Sequence, residues 1–97
     1  MPKQKKHAAL YQALLQLKTP EEAEAFFEDL CTITECQSME QRFQVVQLLD
    51  RGMVYNDILK ETGVSTATIS RVNRALHYGS DGYRLVLDRM KKAEQDG

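Results

Sequence analysis

The apolar residues of this chain recur at helical intervals almost from end to end, and no stretch alternates apolar with polar as a half-buried strand does. Ala9, Leu10, Ala13, Leu14 and Leu17 form one stripe, and Phe26, Phe27 and Leu30 form a second. Met39, Phe43, Val46 and Leu49, widened by Val45 and Leu48, form a third. An all-α fold is expected. At 97 residues the chain is sized for one domain spanning 1–97, and a core this thin gains from burial against a second copy. The composition, 42% hydrophobic and 28% charged, excludes a disordered or collagen-like chain. No apolar run approaches the ~20 residues needed to cross a bilayer, so a cytoplasmic protein without membrane contact is expected. Residues 1–7 are expected to be a flexible end.

Capping chemistry divides the stripes into helices. Thr19-Pro20-Glu21-Glu22 reads as a start, with Thr19 as N-cap, Pro20 where a missing N–H costs nothing, and Glu22 closing a capping box. Thr34-Glu35-Cys36-Gln37 repeats the pattern and opens a helix over about 35–51, which Gly52 terminates. Shorter helices are expected over about 55–62, 66–77 and 82–94, with Ser65 and either Ser80 or Asp81 as N-caps. Tyr78 and Tyr83, beside Gly79 and Gly82, are expected to pack the last helix. Cys31 and Cys36 have only His7 and His77 as distant company, which makes a zinc tetrad improbable and two buried thiols the expectation.

Charge is distributed unevenly. The chain carries 13 Lys and Arg against 14 Asp and Glu, a net charge of −1. Residues 1–18 hold Lys3, Lys5, Lys6 and Lys18 and no acid, whereas 19–40 hold acids and no base. Between Gly63 and Gly82 the full charges are Arg71, Arg74 and Asp81, so a positive surface can form locally on an acidic molecule.

Residues 55–77 are the most specific segment. Two short helices flank Gly63-Val64-Ser65, with glycine where a helix-turn-helix takes a left-handed backbone. Ile58, Val64, Ile69 and Val72 stand where the two helices must pack. Leu59 departs from the usual pattern, which has a small residue there, and polar Thr62 replaces an apolar one, so a slightly wider crossing is expected. The second helix turns Ile69, Val72 and Leu76 inward and leaves Thr66, Ala67, Thr68, Ser70, Arg71, Asn73 and Arg74 at least partly outward. That outward set, free of acids, suits a major groove about 12 Å wide: hydroxyls and methyls for base edges, Arg and Asn for phosphates or bases. Lys60, on the first helix, is a weaker DNA-binding candidate. The same residues also fit a tight interhelical turn with no nucleic-acid role. A helical protein–protein interaction module is the alternative function, favoured by the acidic segment 19–40. No glycine-rich phosphate loop or nucleophile–base spacing suggests an enzyme, and no catalytic or metal-binding residue is assigned.

Gly63-Val64-Ser65-Thr66-Ala67-Thr68-Ile69-Ser70-Arg71 resembles the helix-turn-helix of the Trp repressor superfamily. Gln41 to Val46 and Leu48 to Gly52 are similar to that family's long central helix and its end. Asn73 to Gly79 with Asp81-Gly82-Tyr83 resembles its YerC/YecD branch. The resemblance implies an intertwined, Trp-repressor-like homodimer that binds double-stranded DNA at a palindromic operator as a transcriptional repressor, its half-sites ~34 Å apart. In such a dimer the apolar stripes of 9–17 and 26–30 would be covered by the other chain. The resemblance also sets Arg42 and Arg71 where the tryptophan repressor's two arginines flank the bound indole, which makes them effector-binding candidates. The next residue is glycine in the repressor and Val72 here, at a position that is also a packing site. Tryptophan is therefore not expected as a cofactor; an unknown small effector, or none, is.

Overall fold

The computed structural model describes residues 8–96, and the Lys3, Lys5 and Lys6 cluster lies outside them. The described residues form six α-helices and no strand: α1 Ala8–Leu14, α2 Pro20–Leu30, α3 Ile33–Asp50, α4 Tyr55–Thr62, α5 Thr66–Tyr78 and α6 Gly82–Asp96. The chain divides between Cys36 and Gln37 into two compact units. None of these helices is long and apolar enough to cross a membrane.

In the first unit α1 ends at Leu14, short of Leu17, where the expected stripe stops. The bonds Gln16 N–H to Ala13 and Leu17 N–H to Leu14 tighten the exit, because Thr19, extended before Pro20, prevents the helix from running on. Thr19 caps α2 as expected, its Oγ1 accepting from the Glu22 N–H at 3.1 Å. Glu22 reaches back one residue further than a standard capping box and accepts from the Lys18 N–H at 2.8 Å.

The start of α3 corrects the expected register. The cap is Thr32, not Thr34: Thr32 Oγ1 accepts from the Glu35 N–H at 3.1 Å, and Glu35 Oε1 accepts from the Thr32 N–H at 2.9 Å. Both Thr-x-x-Glu and Thr-x-x-Gln occur here, and the carboxylate is the stronger acceptor for an orphan N–H. No described residue of this unit is fully buried: Phe26 and Phe27 are half-buried, and Leu30 is 50% exposed. The two rings meet edge to face at 5.7 Å. Cys31 and Cys36 are half-buried free thiols, less enclosed than the sequence suggests, because a helix start supplies few neighbours to cover them.

The second unit has a closed core. Val45, Val46 and Leu48 of α3, Ile58 of α4, Val64 of the turn, Ile69, Val72 and Leu76 of α5 and Leu87 of α6 are buried together, with Phe43, Leu49, Met53, Tyr55 and Tyr83 packed around them. Each fully buried aliphatic side chain contributes roughly 1.5–3 kcal/mol of transfer free energy. Gly52 ends α3 in a Schellman motif: at φ 88° its N–H donates to Leu49, while Met53 N–H donates to Leu48. Asp50, in the last turn of α3, is nearly enclosed and receives Arg84 at 2.7 Å and Lys91 at 2.5 Å, both from α6. Lys91 first and Arg84 second hold its carboxyl below the usual carboxylate range. Tyr83 packs on the core as expected, but Tyr78 is 86% exposed, because the inward positions at the end of α5 are already held by Val72 and Leu76.

Candidate nucleic-acid interface

Helices α4 and α5 pack on each other through Ile58, Val64, Ile69 and Val72, the positions expected from spacing. Their turn is fixed by three local devices. Gly63 is left-handed at φ 72°, and its N–H donates to the Leu59 carbonyl at 2.8 Å. A Cβ there would meet nothing within 4 Å, so the backbone angle and not space calls for glycine. Thr62 Oγ1 donates to the Ile58 carbonyl at 2.7 Å and accepts from the Val64 N–H at 3.1 Å. The polar residue at 62 thus ties the end of α4 to the turn, a role signalled only by its spacing of four from Ile58 and two from Val64. Leu59 is 37% exposed and is not among the buried core residues that join α4 and α5.

Ser65 begins α5 as expected. Its Oγ accepts from the Thr68 N–H and donates to Thr68 Oγ1, both at 3.2 Å. Thr68, half-buried, thus shares its hydroxyl with the cap at the start of α5. Thr66, Ala67, Ser70, Arg71 and Arg74 are exposed along the face opposite Ile69, Val72 and Leu76, and Asn73 is half-buried at its margin. Among the described residues neither Arg71 nor Arg74 has an ion-pair partner, in contrast to Arg84, which is engaged by Asp50. Lys60 is exposed in the last turn of α4. One helix thus carries seven of the eight DNA-binding candidates, and the eighth stands on the helix packed against it. The described residues contain no group of three or more metal-ligating side chains.

The arrangement is that of a helix-turn-helix with a presented second helix. The family model of the Trp repressor protein matches residues 5–91. The chain belongs to the Trp repressor family. It is 52% identical over 87 residues to YerC of Bacillus subtilis strain 168, covering 90% of this chain and 84% of that protein. A Trp operon repressor homologue of Chlamydia caviae is 40% identical over 62 residues, covering 63% of this chain and 61% of its own. The crystal structure of a TrpR-like protein from Eubacterium eligens ATCC 27750 matches with a TM-score of 0.82 at 54% identity, covering 87% of each chain. Membership makes the chain a DNA-binding regulator by class, and not an enzyme.

The effector candidates stand on different helices. Arg42 is exposed on α3 and Arg71 on α5. Two shallow grooves share Phe43: one runs along α3 beside Gln37, Glu40, Gln41, Gln44 and Gln47, the other lies between Ala75, Ser80, Gly82, Tyr83 and Val86. Arg42, Arg71 and Val72 line neither groove. Val72 is 2% exposed, its side chain used in the core.

Proposed function

We propose that this chain is a sequence-specific transcriptional repressor, acting in the cytoplasm as a homodimer on a roughly palindromic operator. One observation carries the reading: α5 is capped, locked to α4 by an apolar contact, and presents an acid-free face with two arginines unpaired among the described residues. Laid in a major groove, Thr66, Ala67, Thr68 and Ser70 near its start face base edges, offering hydroxyls and methyls. Arg71, Arg74 and Lys60 bind phosphate oxygens, which set register and affinity, and Asn73 bonds a phosphate or a base. Two copies related by a two-fold axis reach half-sites ~34 Å apart, and the palindrome of the operator follows from that symmetry. The chain is then a single functional domain completed by its second copy.

Repression does not require tryptophan in this reading. The reading is supported by Val72, whose buried side chain stands beside Arg71 at the position where the resemblance has glycine. Micromolar binding of tryptophan to the unmodified protein in a calorimeter would contradict this. The function itself is tested by selecting a random duplex library with the purified protein and sedimenting the selected complex. A near-palindrome bound by two chains is expected. Equal retention of all sequences would favour the interaction-module reading, to which the exposed Leu30 of α2 lends support.

A further inference from the structure

The junction between α2 and α3 carries two thiols that the proposed DNA contacts do not use. Cys31 follows α2, its N–H donating to the Phe27 carbonyl at 2.9 Å. Thr32 then caps α3, and Cys36 stands one turn inside it. Relative to that cap, Cys31 is the residue before and Cys36 the fourth helical residue, the two places whose side chains meet in a hydrophobic staple. Here both members of the staple are sulfurs. Cys36 Sγ donates to the same Phe27 carbonyl at 3.4 Å, which gathers both cysteines on one acceptor. The Cys36 thiol is pushed up by burial first and by its contact with Cys31 second, with Glu28 and Glu35 adding to the effect.

We propose that Cys31 and Cys36 form a thiol–disulfide site, a covalent staple across the α2–α3 junction that small-molecule disulfides of the glutathione type close and small thiols reopen. The Cys36 thiol is engaged on the Phe27 carbonyl, so Cys31 reacts first. Its thiolate, having given its proton to water, attacks one sulfur of the small disulfide, whose S–S bond breaks and releases one small thiolate. Cys36 then loses its proton and attacks the Cys31 sulfur of the mixed disulfide, expelling the second small thiolate. The two protein thiols lose two electrons, the small disulfide gains them, and the two released protons end on the two small thiols. Closure replaces the Cys36–Phe27 hydrogen bond and ties the end of α2, with its exposed Leu30, to the first turn of α3.

The test equilibrates the full-length protein in glutathione buffers of graded ratio, blocks the remaining thiols with iodoacetamide, and maps the product by intact and peptide mass. A Cys31–Cys36 bond within one chain is expected, reversed by excess glutathione. Its equilibrium constant should be at least about tenfold larger in the folded protein than in denaturant, where the staple geometry is lost. Cys31→Ser and Cys36→Ser should each stop at a single mixed disulfide. Alkylation of both cysteines at every ratio, cross-linking between chains in place of the internal bond, or equal constants folded and denatured would overturn the proposal.

Discussion

Helices α2 and α5 are of similar length and both amphipathic in sequence, yet they end differently. Helix α5 buries Ile69, Val72 and Leu76 in its own unit and shows solvent a polar, cationic face. Helix α2 buries nothing completely and leaves Leu30 half exposed, followed by Ile33 at 78% exposure. The first is a finished element whose outer face is free for a ligand. The second is unfinished within one chain, which is what the proposed homodimer would remedy, since contiguous exposed apolar surface marks an interaction site.

The contrast can be broken by substitution. Ile69→Ala should cost about 3 kcal/mol in urea denaturation, by lost transfer energy plus a cavity, at any protein concentration. Leu30→Asp should act differently: sedimentation should shift toward monomer, and the concentration dependence of the urea midpoint that a dimeric parent shows should weaken. Comparable losses in both, with sedimentation and its concentration dependence unchanged by Leu30→Asp, would mean that α2 is completed within its own chain. Gly63→Ala should cost about 1–2 kcal/mol, because φ 72° opposes a side chain even though open space surrounds it. Removing the corrected cap by Thr32→Ala should cost about 1 kcal/mol, whereas Thr34→Ala should leave the urea midpoint almost unchanged.

The smallest effect concerns acid. The Asp50 carboxyl is depressed by Lys91 and Arg84, so its contribution is complete above the unfolded value of about 3.9 and is lost as pH falls through the lower folded value. Asp50→Asn should therefore flatten the fall of the urea midpoint below about pH 4 relative to the parent protein, an effect that leaves the α5 face untouched.

What could be read in the sequence was local. The glycines at 52 and 63, the caps Thr19 and Ser65, and the inward residues Ile58, Val64, Ile69 and Val72 depend on neighbours within a turn or two, and the structure has them as expected. The α3 cap slipped by two residues because overlapping Thr-x-x-Glu and Thr-x-x-Gln patterns compete, and acceptor strength settles the register. Contacts across the chain were not legible: Asp50 meets Arg84 from 34 residues away, and no periodicity links them. The same limit applies to Tyr78, whose exposure depends on which residues have already filled the core. In the candidate site, the helix and its faces were legible. The hydroxyl pair of Ser65 and Thr68 and the bridging by Thr62 were not, because they depend on side-chain torsions within the turn.

The most direct measurement is a fluorescence anisotropy titration of the selected duplex at several salt concentrations, comparing the parent protein with an Arg71→Ala, Arg74→Ala double variant whose helicity is unchanged. The account predicts weaker binding and a slope of log affinity against log salt that is shallower by about two, one for each phosphate contact removed. Unchanged affinity and slope in a folded double variant would show that α5 does not face the DNA.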